Sequence, residues 1–337
     1  MNQHLSVGEF AVRVLIAVAL AALVVVLWRV VDIFVLIFGG IVLALVLRSL
    51  MRIIQRFTPL HGRWALLVAV VALLVVMALL GLLIGSRVAT EMGQLTQTLP
   101  QAWQRLLALL NHSSAGRLIM REARSQSATS GLLSHLTDVA TITVGAFVDA
   151  GVILFTGLFF AVDPDLYRRG LLHLVPLSGR HDVAHAFDAS IAALGHWLKG
   201  VLLSMLSIGI VTGLGLWALG IPLALSLGIL SGVCEFIPYL GPILAAIPAV
   251  LVALTLGPSR ALEVIVLYLA VHLFEGELLV PMIQRWAVAL PPALTIIAVV
   301  VFGWLFGVLG IVFATPMAVA AVALIDALYV RAALRSR

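Results

Sequence analysis

The stretch from 234 to 242, CEFIPYLGP, sets a carboxylate, Glu235, beside Pro238, Gly241 and Pro242 in the middle of an apolar run from Ile221 to Leu256. Pro238 has no N–H to give the carbonyl of Cys234, and Pro242 has none for the carbonyl of Pro238, so a regular helix must break here. Residues that precede a proline lean toward extended geometry, and Gly241 accepts whatever dihedrals a tight turn requires. Inside a bilayer such a break is tolerated only where protein or a water-filled cavity covers it. A carboxylate and unpaired carbonyls gathered at one point suit a proton, a cation or a hydroxyl-rich solute. A plainer reading puts Glu235 at a hairpin tip in the headgroup region, solvated and structural.

Four more ionisable residues, Asp149, His272, Glu275 and Glu277, fall well inside apolar runs. A charge there costs at least about 2.5–3.5 kcal/mol on insertion scales and is kept for a compensating reason. Glu275 and Glu277 are two residues apart and so point to different helix faces, while Glu275 lies one turn from His272; Glu275 is the expected pathway member of the pair. Arg13, Asp32, Lys199 and Asp326 sit near span ends, where snorkelling accounts for them. His181 and His185, with Asp182 and Asp188 nearby, have a spacing that could hold a metal. A solvated cytoplasmic helix explains the same residues without further claims and is the favoured reading, and no metal or cofactor is expected. The sequence has no GxxxxGK[ST] loop, HExxH or GxSxG pattern, so neither nucleotide hydrolysis nor intramembrane proteolysis is indicated, and the chain is not expected to be an enzyme.

These residues must be positioned by membrane-embedded helices. Of 337 residues 63 % are hydrophobic and 10 % charged, against about 25 % charged in soluble domains. A helix needs about 20 apolar residues to cross roughly 30 Å of hydrocarbon. Uncharged runs supply such spans at roughly 11–28, 33–47, 64–86, 141–162, 197–219 and 261–284. Two longer runs, 221–257 and 291–330, are interrupted by Gly and Pro and read as broken helical hairpins or re-entrant pairs, with Gly310 and Pro316 the expected break in the second. The fold class is therefore an all-α polytopic membrane protein of about six full spans and two broken hairpins, roughly eight hydrophobic segments in all. It divides into an N-terminal membrane region, 1–162, that includes an extramembrane helical loop at 88–140; a polar cytoplasmic linker, 163–196; and a C-terminal membrane region with the broken helices, 197–337.

The net charge of +5 does not point to nucleic acid, because the basic residues cluster in short loops, which is a topology signal. Arg48, Arg52, Arg56 and Arg63 crowd one loop without an acid, as do Arg331, Arg335 and Arg337 in the tail; both belong in the cytoplasm, and so does the N-terminus. The run from Ala11 to Trp28 reads as a retained signal anchor. Cys234 is the lone cysteine, which excludes an intramolecular disulfide. Within 88–140, Leu95, Leu99, Trp103, Leu106 and Leu110 form a helical stripe that would pack against the protein or lie on the bilayer surface, as a connecting amphipathic helix rather than a lid or partner-docking helix. The segments LGIPLALSLGILSG at 219–232 and VALPPALTIIAVVVFG at 288–303 resemble each other faintly, a pairing of interrupted segments that in transporters marks a binding site.

The stretch CEFIPYLGPILAAIPAV, preceded by LKGVLLSMLSIGIVTGLGLWALGIPLALSLGIL, resembles the signature region of the autoinducer-2 exporter (AI-2E) family of bacterial inner-membrane transporters. ELLVPMIQRWAVALPPALTIIAVVVFGWLFGVLGIVFATPMAVA is similar to that family's second marked region. Val201 stands where many members carry glutamine after the Gly of WLKG, which puts any role of that amide in doubt here. The resemblance implies a multi-pass permease of the inner membrane, a homo-oligomer, with a small polar solute or a cation as its partner in the lipid bilayer. GxxxG spacings at Gly81/Gly85, Gly228/Gly232 and Gly303/Gly307 would allow close helix contacts within or between subunits. The expected function is export of a small polar, autoinducer-2-like solute driven by an ion gradient, with Glu235, Pro238, Gly241, Pro242, Glu275, Glu277 and His272 along the pathway. Sodium or lithium exchange for protons through the same carboxylates is the alternative, and a non-transporting scaffold is the alternative of another class.

Overall fold

The computed structural model describes residues 33–83, 131–284 and 290–330. The expected span at 11–28, most of the extramembrane loop and the basic tail lie outside the described residues. Those described are helical, without strands, and the chain is an all-α polytopic membrane protein.

Helices α1 (Ile33–Phe57) and α2 (Arg63–Leu83) are followed by α3 (Gly131–Val162). Pro164 opens α4 (Pro164–His173), which turns 91° from α3. The bend falls where it should: the Leu166 amide donates to Oδ1 of Asp163 at 3.1 Å, an N-cap, and proline is tolerated in the first turn. Helix α5 (Arg180–Ala218) runs unbroken for 39 residues, about 58 Å at 1.5 Å per residue. The polarity change at 196/197 therefore marks no structural boundary. Ala186, Ser190, Ala193, Leu194 and Trp197 keep one face buried across it, so packing carries the helix through.

The run 221–257 is a hairpin of α6 (Ala224–Cys234) and α7 (Leu240–Leu256). Eleven residues of α6 extend about 16 Å, too short to cross hydrocarbon. Helix α8 (Pro258–Phe274) starts directly after Gly257 and continues through a wide turn, Glu275–Leu279, into α9 (Val280–Gln284). In that turn the Val280 amide donates to the carbonyl of Glu275, five residues back. Pro281, which denies the carbonyl of Glu277 its helical partner, sits where such a widening is expected.

Helix α10 (Pro292–Ile325) folds back on itself at Gly307, whose φ of 61° and ψ of −140° are open to glycine. The arms lie side by side, because a Cβ on Gly303 would stand 2.8 Å from Cγ1 of Ile311. The expected second hairpin is present, but its reversal falls at Gly307 rather than at Gly310 or Pro316. Gly310 packs against the carbonyl of Phe302 across the turn, and Pro316 is buried inside the second arm.

The two hairpins enter from opposite ends. Leu216, Ile221, Ala224, Ala253 and Ala261 share one cluster, so the end of α5, both ends of the first hairpin and the start of α8 lie at one level. The stretch Pro258–Met282 then crosses, 25 residues long, before the second hairpin begins. Hairpin 1 is clamped on α5 by backbone contact: a Cβ on Gly228 would lie 2.6 Å from Cα of Gly213, and one on Gly232 would lie 2.5 Å from the carbonyl oxygen of Met205. The Gly228/Gly232 spacing is thus used within the chain.

Candidate functional site

Hairpin 1 reverses at Glu235–Tyr239. Here the amide of Ile237 donates to the carbonyl of Cys234 at 3.0 Å and that of Leu240 to the carbonyl of Pro238 at 2.8 Å. The carbonyls expected to be free are therefore satisfied by a tightened last turn and by a three-residue turn centred on Tyr239. Tyr239 holds φ 66° and ψ −43°, a strained conformation for a residue with a Cβ. Gly241 is needed for close approach, not for its dihedrals, since a Cβ there would collide with the carbonyl of Cys234. Pro242 sits in the first turn of α7, where its missing N–H costs nothing.

That turn delivers Glu235 and Pro238 to a cavity of about 420 Å³ walled by hairpin 1, α5, the α8 wide turn and both arms of hairpin 2. Glu235 is 5 % exposed and its Oε2 has no hydrogen-bond partner. Its carboxyl shares the cavity with that of Glu275. Glu275 Oε2 in turn lies 3.4 Å from Nδ1 of His272. The wide turn aims Glu275 and Gly276 at the cavity and leaves Glu277 exposed outside its lining. Of the sequence-selected residues, Glu235, Pro238, His272 and Glu275 are brought together; Gly241 and Pro242 shape the turn behind them.

Sequence reasoning overlooked Ser204, Thr295 and Thr315, three buried hydroxyls on the cavity wall. Thr315 Oγ1 is buried without a partner. Their signal was available as hydroxyls in apolar spans, but only the fold shows that α5 and the two arms of α10 turn them to one place. Val201 also lines the cavity. Behind it, Ser231 Oγ and Tyr268 Oη are 2.8 Å apart, and Tyr268 Oη donates to the carbonyl of Ala245 at 3.3 Å, which ties α6, α7 and α8 together.

The histidine and aspartate group of the linker takes another form. Arg168 holds Asp188 through two bonds, Nε to Oδ1 at 2.8 Å and Nη2 to Oδ2 at 2.6 Å, pinning α4 to α5. No group of three or more metal-ligating side chains occurs among the described residues.

A model of the AI-2E family transporters matches residues 15–330. The chain belongs to the AI-2E transporter family. TqsA, the AI-2 transport protein of Escherichia coli (strain K12), is 27 % identical over 278 residues, 76 % of this chain and 77 % of its own length. YrrI of Bacillus subtilis (strain 168) is 31 % identical over 170 residues, 50 % of this chain and 48 % of its own. YueF of the same strain is 30 % identical over 192 residues, 57 % and 51 % of the two chains. The matches to the two Bacillus proteins thus span about half of their length. Membership and the apolar helices of membrane-crossing length make the chain a multi-pass membrane protein of a transporter family.

Proposed function

We propose that this transporter exports a small polar solute of the autoinducer-2 kind, driven by an ion gradient, from the bacterial inner membrane with both termini cytoplasmic. The observation that carries the reading is the Glu235–Glu275 pair in one cavity at the tip of a hairpin too short to span. Two carboxyl groups in one cavity, one of them buried, favour positive charge between them, either a proton or a cation. His272 and the carboxyl pair serve the coupling ion, while Ser204, Thr295 and Thr315 offer hydroxyls to a solute with hydroxyls of its own. Tyr239 and Pro238 close the wall beside the acid. In this reading the arginine-rich loop at 48–63 is cytoplasmic, with the base of hairpin 2 on that side and the base of hairpin 1 on the other.

The test is flux into inside-out vesicles. Glu235→Gln keeps shape and removes the ionisable group, and it is expected to cut coupled uptake of autoinducer-2 at least tenfold while the protein stays monodisperse. Glu277→Gln is expected to stay within twofold of wild type. Full flux through Glu235→Gln would end this reading. Proton movement on adding sodium, with no uptake of autoinducer-2, would convert it to sodium/proton exchange.

A further inference from the structure

Asp149 is an acid inside an apolar run that the site above does not use. It lines a separate cavity of about 320 Å³ with Val35 and Leu36 of α1 and with Phe306, Val308 and Leu309, which bracket the Gly307 reversal of hairpin 2. It lies fourteen positions before the Asp163 cap, about 20 Å by helical rise, which is well within a bilayer about 30 Å thick. No described residue pairs with its carboxylate. Each hairpin tip therefore faces an acid: Glu235 belongs to the first, and Asp149 stands across from the second.

The two cavities share the second arm of hairpin 2. Leu309 lines one and Thr315 the other, six residues and about 9 Å apart. Phe313 lies between them, 8 % exposed. Its ring meets Phe38 of α1 edge-on at 6.4 Å and Phe236 of hairpin 1 at 6.5 Å, and Phe236 meets Trp197 of α5 at 5.7 Å. This aromatic layer joins four elements at the level between the cavities. Gly39 makes the seat for it, since a Cβ there would stand 2.9 Å from Cζ of Phe313.

We propose that the Asp149 cavity is a second station for a small monovalent cation, the proton included, on the same pathway as the Glu235–Glu275 cavity, and that Phe313 is the barrier between the two. This rests on the transport reading above. An unhydrated cation gains nothing from an apolar ring layer beyond the faces of its rings, so passage needs Phe313 to leave its seat. The carboxylate on each side then gives the ion a place to stop. The opposed hairpins supply one station from each side of the membrane.

The test uses the full chain in proteoliposomes with Cys234→Ser as background. Asp149→Cys and Ser204→Cys are each exposed to a membrane-impermeant maleimide from either face. The two positions are expected to react from opposite faces. Adding Phe313→Ala is expected to speed reaction from the formerly closed face at least tenfold at both. Without the introduced cysteines, Phe313→Ala is expected to dissipate an imposed sodium or pH gradient at least tenfold faster than wild type, and Asp149→Asn on top of it to cut that leak at least fivefold. Phe313→Leu, which keeps the core filled, replaces the alanine variant if size exclusion shows that variant misfolded, with the same direction expected. Asp149→Cys unreactive from both faces, or reactive from the same face as Ser204→Cys, overturns the second station. A Phe313 variant as tight as wild type, or a leak indifferent to Asp149→Asn, overturns the barrier. Normal flux through Glu235→Gln would instead remove the transport reading and leave the labelling result intact, so the two failures are distinguishable.

Discussion

Hairpin 1 and hairpin 2 solve the same problem, a helix that must reverse at membrane depth, in opposite ways. Hairpin 1 has left-handed backbone at two residues that carry side chains, Leu223 at φ 62° and Tyr239 at φ 66°. Hairpin 2 places its positive φ on a glycine, Gly307. The first also carries its own acid at the tip, while the second borrows Asp149 from α3. Strain held by side-chain-bearing residues persists only where the surroundings over-determine it, and it gathers where geometry matters for function. The contrast assigns hairpin 1 the part that must be held in place and hairpin 2 the part that reverses at little cost.

The sharpest way to break the comparison is at the glycine that each turn packs against a carbonyl. Gly241→Ala and Gly310→Ala each drive a Cβ into backbone, Cys234 or Phe302, which no rotamer relieves; each should cost about 3 kcal/mol or more and leave little monodisperse protein in a detergent thermal-stability screen. If Gly241→Ala alone were tolerated, hairpin 1 would be the looser of the two. Next comes Gly307→Ala, expected to lower stability by about 2 kcal/mol through its backbone alone, because nothing lies within 4 Å of the added methyl. Tyr239→Gly should act in the other sense, raising stability by about 1 kcal/mol while reducing flux, as release of functional strain requires. A loss of stability there would show that ring contacts outweigh strain. The smallest effect is expected from Asp188→Asn, under about 1 kcal/mol, because the Arg168–Asp188 pair is largely solvated.

Much of this was legible in the sequence, for identifiable reasons. Proline and glycine flagged both runs as interrupted, though only in hairpin 1 does a proline lie at the break itself. Glu235 and Glu275 stood out because charge in an apolar run is costly wherever it ends up. What stayed hidden depends on relations between distant segments. The identity of Gly241 is set by the carbonyl of Cys234 across the turn, and that of Gly310 by the carbonyl of Phe302. Pro316 drew attention as a breaker, yet it sits buried in a continuing arm, while Gly307 makes the reversal. Ser204, Thr295 and Thr315 look like ordinary hydroxyls in apolar helices until three separate segments bring them to one wall. That one helix runs through 196/197 was not legible, because polarity reports the solvent around a helix, not where the helix ends.

The glycine seam between α5 and α6 has a mechanical meaning. Gly209 and Gly213 meet Gly228 and Gly232 backbone against backbone, so there are no side chains whose rotamers could slip past one another. α5 and hairpin 1 must move, if they move, as a single body, and a seam of that kind cannot serve as a hinge. Compliance has to reside where helical bonding is already loosened, and the wide turn at Glu275–Leu279 is such a place, with Glu275 at its first residue. Rotation there would swing Glu275 while Glu235 stays with hairpin 1, and so would change the separation of the two acids.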